Sequence, residues 1–542
     1  MELFNKFTFL DGGFGTMLVA KGLKAGELPE EYNIEKPEIV QSIHKAYIDA
    51  GSDIILTNTF GANKKKMSRS KYPLSELIKN AVLNAKKATE GTNVKIALDL
   101  GPIGELIEPM GMMTFEEAVD VFKESISIGV ENGVDLIYFE TMSDLYELKA
   151  AIIAAKECCD KPIFSTMTFE QSMRTFMGCS IPSMAVLLEG MGVSALGINC
   201  SLGPKEMLPI VKELINYTNL PIIVKPNAGL PEMVDGKATY SITPEEFSDL
   251  MIEYAKLGIN IFGGCCGTSP DYIRKTKEKI SSLSPVLREK KSFTAVCSPS
   301  NTVIIDKTIP VGEKINPTGK EDLQKAIMEE DIDSIVDLGY DQMDCDAKIL
   351  DVNVGLYGID EAYIMEEAVK ALQTAINLPL QIDSSDPKVI EAGIRIYNGK
   401  PIINSVNGKK ENLDKILPLA KKYGACVIGL TMDENGIPEK AEGRVKIAEK
   451  IIEECKSHGI AKENIIIDCL ALCKAVSSEQ ETLKAVNMIS KMGYKTILGI
   501  SNVSFGLPNR SEINHDFLKK AIEHGLSMAI INPEDDELMG IF

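Results

Sequence analysis

Two adjacent cysteines, Cys265 and Cys266, stand in Ile261-Phe-Gly-Gly-Cys-Cys-Gly-Thr268, after an apolar run and inside a frame of glycines. A third, Cys200, closes the apolar run of Gly197-Ile-Asn-Cys-Ser-Leu-Gly-Pro204. Three thiolates converging from two strand ends would hold a catalytic zinc, with three protein ligands and one open position. A structural zinc takes four ligands, usually from Cys-x2–4-Cys pairs. No fourth cysteine is spaced that way around these three. Gly263, Gly264 and Gly267 carry no Cβ, so the chain can turn sharply there and come close to a bound atom. The doublet is equally readable as two small hydrophobes packed in a core. Cys158-Cys159 supplies the contrast: it ends the helical run 145–157 with no glycine frame, and reads as structural.

Such cysteines need a scaffold, and the first half of the chain repeats one pattern: a short apolar strand, a Gly/Asp/Asn-rich loop, then an amphipathic helix. Strands with their loops fall at 8–16, 53–59, 95–101, 135–141, 162–168, 195–200, 221–228 and 260–266. Helical periodicity fills the intervals, as at 38–49 and 115–132. Eight strand–helix units predict an α/β fold of the TIM-barrel, (β/α)8 type, whose active site lies at the C-terminal strand ends. The polar residues Asp11, Glu140, Asn199, Cys200, Asn227, Cys265 and Cys266 all fall at those ends. Cysteines that only pack a core have no reason to collect on one face, so the barrel reading strengthens the metal reading.

Residues 284–302 mix prolines, serines and charges without periodicity and read as a linker. The alternation then resumes, with strand ends at 309–316, 349–355, 380–386, 401–407, 426–432, 465–469, 496–502 and 528–532. Two tandem (β/α)8 barrels are therefore expected, over 1–290 and 291–542. The second rim carries Glu313, Asn316, Asp383, Asn404, Asp468 and Asn502, and no cysteine cluster. Fixed carboxylates accept paired hydrogen bonds, and amides both donate and accept. That set suits a neutral, donor-rich heterocycle such as a pterin. Any one of these residues alone would read as a strand-end cap.

The net charge of −20 and pI near 4.9 argue against nucleic acid and anionic membranes as partners. Twelve cysteines scattered over 542 residues do not make a secreted disulfide framework. The N-terminal residues carry no signal-peptide pattern and no apolar run reaches membrane-spanning length, so a cytoplasmic location is expected.

Asp11-Gly-Gly-Phe-Gly-Thr16, Glu140-Thr141, Asn199-Cys200 and Gly263-Gly-Cys-Cys-Gly-Thr268 resemble the motifs of the homocysteine S-methyltransferase family. In the second half, Gly312-Glu-Lys-Ile-Asn316, Leu350-Asp-Val-Asn-Val-Gly355, Ile382-Asp-Ser-Ser385 and Ser501-Asn-Val-Ser-Phe-Gly-Leu-Pro-Asn-Arg510 resemble the pterin-binding family. That family includes dihydropteroate synthases and methyltetrahydrofolate methyltransferases. The two modules in this order resemble the N-terminal half of the cobalamin-dependent methionine synthases. The resemblance implies zinc on Cys200, Cys265 and Cys266. It implies homocysteine held by Asp11, Thr16 and Glu140, with Asn227 near the metal, although Asp11 also reads as a turn residue. It implies 5-methyltetrahydrofolate held by Asp383, Asn404, Asp468, Asn502 and Arg510, with Glu313 and Asn316 at the rim and Asn502 hydrogen-bonding the N5 side. Dihydropteroate synthases place a lysine near Asn502, so asparagine favours methyl transfer over condensation.

The implied reaction moves a methyl group from 5-methyltetrahydrofolate through a corrinoid to homocysteine, giving methionine. No Asp-x-His-x-x-Gly frame surrounds His44, His458, His515 or His524, so cobalamin is expected from a separate corrinoid-binding protein or a further module. Three other readings stay open. One is a homocysteine methyltransferase with another donor and a folate-sensing second barrel. Another is a dihydropteroate synthase fusion, and the last a non-catalytic zinc or folate binding protein.

Overall fold

The computed structural model describes residues 6–234, 237–473 and 478–542, and its chain divides into two compact units, the first ending at Lys291 and the second beginning at Ser292. In the first unit, eight parallel strands alternate with helices: β1 (Thr8–Phe9), β2 (Ile54–Leu56), β3 (Lys95–Leu100), β4 (Leu136–Met142), β5 (Ile163–Met167), β6 (Ala195–Asn199), β7 (Ile222–Lys225) and β8 (Ile261–Phe262). They hydrogen-bond in the order β1-β8-β7-β6-β5-β4-β3-β2. Between β1 and β2, side chains complete the ring. The Phe9 N–H donates to Asp53 Oδ2 (2.8 Å), the Asp53 N–H to the Phe9 carbonyl (2.6 Å) and the Leu56 N–H to Asp11 Oδ2 (2.8 Å). Leu10, Leu56, Ala97, Tyr138, Phe164, Ile223 and Ile261 fill the barrel interior as one buried cluster. Each Leu, Ile or Phe side chain among them contributes about 1.5–3 kcal/mol by leaving water.

Local sequence sets the outer helices. Thr114 and Glu117 form a capping box that starts Phe115–Glu131, and Thr243 and Glu246 do the same for Pro244–Lys256. Each box satisfies two N–H groups that a helix start leaves without partners.

The second unit is a closed barrel of eight parallel strands, β9 (Ile309–Ile315), β10 (Ile349–Val352), β11 (Leu380–Asp383), β12 (Ile402–Asn407), β13 (Cys426–Leu430), β14 (Ile465–Asp468), β15 (Lys495–Gly499) and β16 (Met528–Ile531), paired in sequence order. Both predicted sets of eight strands are present, giving two (β/α)8 barrels.

The linker reading of 284–302 needs correction at its end. Ala295–Cys297 pairs antiparallel with Thr302–Ile304. Val296 and Ile305 pack against Ile309, Val311, Ile349, Cys426, Ile466 and Ile497. The hairpin caps the second barrel's core, and its runs are too short to register as periodic in the sequence. Among the described residues, no helix is long and apolar enough to cross a membrane.

Candidate functional site

The end of β7 is the template on which both cysteine turns of the first barrel are laid. The Cys200 N–H donates to the Lys225 carbonyl (3.1 Å), and the Cys265 N–H donates to the Pro226 carbonyl (2.9 Å). The Cys266 N–H donates to Asn227 Oδ1 (3.0 Å). Cys200 and Ser201 take φ of +61° and +57°, a left-handed conformation uncommon outside glycine, which swings the Cys200 side chain off the end of β6. The β8 turn is braced from the first loop: the Gly267 N–H donates to Thr16 Oγ1 (3.0 Å), the Gly13 N–H to Thr268 Oγ1 (3.0 Å), and Thr268 Oγ1 donates to the Cys265 carbonyl (2.7 Å). A Cβ on Gly264 would lie 2.4 Å from Thr268 Oγ1, and Gly267 has φ +80°. These glycines therefore serve the turn and its packing against Thr268.

The three sulfurs lie within 4.8 Å of one another, with Cys200 Sγ 3.8 Å from Cys266 Sγ. Two thiolates about 2.3 Å from one tetrahedral ion stand roughly 3.8 Å apart, so the donor set fits a metal ion. Asn199 Nδ2 points at Cys265 Sγ (3.7 Å) and donates to Thr141 Oγ1 (2.6 Å). Hydrogen bonds from Cys200 and Cys265 hold the Cys266 thiol down at about 3, with a smaller contribution from Tyr240. Cys265, bonded to Cys200 and Cys266 and buried, is pushed well above its ordinary value. Cys158 and Cys159 sit elsewhere, half-buried at the end of helix Leu145–Cys158, where Ser127 Oγ reaches Cys158 Sγ at 3.5 Å.

Beside the sulfurs opens a cavity of about 450 Å³ lined by Asp11, Thr16, Asp99, Glu140 and Lys225 among others. Asp11 does two things: one oxygen closes the barrel seam at Leu56, and the other stands 3.8 Å from Lys225 Nζ. Burial pushes Asp11 up to about 7. Thr16 reaches the cavity wall while holding Gly267, whereas Asn227 acts on the backbone of Cys266. Sequence reasoning missed Asp99 and Lys225. The available signal was a lysine ending the apolar run Ile222–Lys225 and an aspartate inside Lys95–Leu100.

On the second rim, Asp383 and Asn404 are register partners on β11 and β12. Asp351 of β10 and Asn353 just after it hold them: Asn353 Nδ2 donates to Asp383 Oδ2 (3.0 Å), and Asn404 Nδ2 donates to Asp351 Oδ1 (3.2 Å). Asp351 Oδ1 also accepts from Gln381 Nε2 (2.6 Å), so the Asn404 amide is oriented with its nitrogen inward. Asp351 and Asn353 lie in the Leu350–Gly355 motif without a role assigned from sequence, and Gln381 had none either, since a supporting residue is recognised by the partner it holds. Asp468 ends β14 and accepts from the Leu470 N–H (2.7 Å). Burial raises Asp383 to about 6 and Asp468 to about 7. Glu313 accepts from Ser501 Oγ (2.9 Å), and burial raises its pKa. Asn316 accepts from the Thr318 N–H (3.0 Å) in a local turn. Asn502 is exposed on the short 3-10 turn Ile500–Ser504. Arg510 donates to the Ser501 carbonyl and Ser504 Oγ (3.1 Å each), bracing that turn.

The fold and sites thus define a tandem-barrel protein with three converging cysteines able to hold a metal ion in one barrel and a carboxylate–amide rim in the other. The homocysteine S-methyltransferase family profile matches residues 8–280, and the pterin binding enzyme profile matches residues 312–532. The chain belongs to the homocysteine S-methyltransferase family, with a pterin-binding module following in the same polypeptide. It is 30% identical over 567 residues to methionine synthase of Mycobacterium leprae (strain TN), covering 96% of this chain and 47% of that protein. Methionine synthase of Mycobacterium tuberculosis (strain ATCC 25618 / H37Rv) gives 30% over 561 residues, with the same coverages of 96% and 47%. The chain spans about half the length of these curated relatives. Among solved structures, the metallated homocysteine methyltransferase MmuM from Escherichia coli aligns with 51% of this chain and 96% of its own at 23% identity, TM-score 0.45. Dihydropteroate synthase from Stenotrophomonas maltophilia aligns with 46% and 96% at 15% identity, TM-score 0.36.

Proposed function

We propose that this chain methylates the sulfur of homocysteine, with zinc on Cys200, Cys265 and Cys266 in the barrel of residues 1–290 and 5-methyltetrahydrofolate in the barrel of residues 291–542. The convergence of three sulfurs beside a cavity with a charged floor supports the reading most directly. Zinc bound there keeps a coordinated thiol deprotonated near neutral pH. Glu140 and Asp11 receive the amino-acid end of the substrate, and Thr16 and Asn227 hold the turn that carries Cys266. In the second barrel, Asp383, Asn404 and Asp468 hold the pterin ring. Asn502 hydrogen-bonds the N5 side, where charge develops as the methyl leaves. Glu313, Asn316 and Arg510 shape the rim around them.

For the path between the sites we propose a corrinoid, cobalamin, carried by another protein or module. His44 is fully buried against Phe14 and burial lowers it to about 3, while His458 and His524 each set Nδ1 against a carbonyl of the preceding helix. A second reading has its own support. Everything the thiol requires comes from the first barrel alone, which the first family profile covers by itself. On that reading another methyl donor serves homocysteine and the second barrel senses folate.

The deciding experiment measures methionine formation from homocysteine and labelled 5-methyltetrahydrofolate, with and without added cobalamin. Transfer that requires the corrinoid supports the first reading. Methylation by another donor that merely responds to folate supports the second. Binding of zinc and folate without turnover from any donor would overturn both.

A further inference from the structure

The floor of the first-barrel cavity holds three carboxylates and one ammonium. Asp11 follows β1, Asp99 and Glu140 lie on β3 and β4, and Lys225 ends β7; each is buried, from 1% exposed for Asp11 and Lys225 to 8% for Glu140. Lys225 Nζ pairs with Glu140 Oε1 and lies 3.8 Å from Asp11 Oδ1 and 5.2 Å from the centre of the Tyr138 ring. Asp11 Oδ1 and Asp99 Oδ1 have no hydrogen-bond partner. A buried ion pair that only filled the barrel would be matched one to one. Asp11 and Asp99 thus keep acceptor capacity that the described residues leave unused, in side chains that line the cavity.

Lys225 Nζ engages one oxygen of Glu140, and both residues line the cavity. We infer that Lys225 is a positioning residue that fixes the orientation of the Glu140 carboxylate, so that the pocket selects a thiol bearing an α-ammonium over the same thiol without one. The inference rests on the homocysteine reading of the site and names how its substrate class is enforced. No cysteine side chain is involved, and the Lys225 ammonium acts through Glu140, its hydrogen-bonded partner, with Asp11 Oδ1 standing further off at 3.8 Å.

The test uses the full chain loaded with cobalt(II), whose sulfur-to-metal absorption reports thiol binding independently of turnover. Wild type is titrated with L-homocysteine and with 4-mercaptobutanoate, which lacks only the amino group. Wild type should prefer homocysteine by about tenfold or more, the worth of a charge-assisted contact. Lys225→Met should lose most of that preference while keeping its cobalt content. Glu140→Gln should lose it equally, and Lys225→Met added to Glu140→Gln should change it little further, because the lysine's effect passes through that carboxylate.

Lys225→Gln is polar but shorter and uncharged, and does not reach Glu140 as the ammonium does. It should also lose the preference, which covers the case in which the methionine variant does not fold. Undiminished preference in a folded, cobalt-loaded Lys225 variant would reduce the lysine to barrel packing and overturn the inference. No spectral response of wild type to homocysteine would instead overturn the reading of the site itself, and this inference with it.

Discussion

Replacing Thr268 by valine keeps the shape of a fully buried side chain and removes one hydroxyl that joins the two loops around the thiolates. Thr268 Oγ1 accepts from the Gly13 N–H at 3.0 Å and donates to the Cys265 carbonyl at 2.7 Å. That carbonyl still accepts from the Thr268 N–H at 3.1 Å, so it is not orphaned. The Gly13 N–H is left buried without this acceptor, which costs about 1–3 kcal/mol, and the second bond is worth about 0.5–1.5 kcal/mol. A loss near 3 kcal/mol lowers the unfolding temperature of a barrel this size by roughly 6–12 °C. Calorimetry should show the first-barrel transition moving by that amount and the second-barrel transition staying in place. Because the same hydroxyl holds the Cys265 backbone, chelator competition should show zinc bound about 10–100-fold more weakly. Unchanged melting and unchanged zinc affinity in Thr268→Val would show that the hydroxyl does not fix the thiolate loop, and the account of that loop would fail.

Alanine at Cys200, Cys265 or Cys266 should abolish tight zinc binding, measured by metal analysis, whereas Cys158→Ser and Cys159→Ser should retain it; zinc surviving in the Cys265→Ala, Cys266→Ala double variant would rule out the centre. Asp351→Ala frees the Asn404 amide to turn, and 5-methyltetrahydrofolate binding by calorimetric titration should weaken by about 1–2 kcal/mol, roughly 5–30-fold, with homocysteine binding untouched. Burial raises Asp468 from 3.8 to about 7 and Asp383 from 3.8 to about 6, so both bind protons more tightly folded than unfolded. The stability they contribute is complete below the unfolded value and lost as pH rises through the folded ones. The unliganded second barrel should therefore resist urea better at pH 5 than at pH 8, and Asp468→Asn should flatten that difference; equal resistance in the wild type would contradict the burial argument.

The sequence carried the periodic and the local. Sixteen strands were readable because each is a short apolar run, most of them closed by Gly, Asp or Asn, and a capping box such as Thr114–Glu117 lies within four residues. Cys200, Cys265 and Cys266 were readable because a thiol in a glycine frame at a strand end is unusual in itself. What tertiary structure decided is which distant groups face one another. Asp11 meets Leu56 because β1 and β2 close the barrel, and Lys225 meets Glu140 because β4 and β7 face one interior. Asp351 fixes Asn404 across 53 residues of chain. These pairings depend on strand register around a ring, and no stretch of sequence encodes a register. A buried lysine or aspartate shows its partner only after the ring has closed around it.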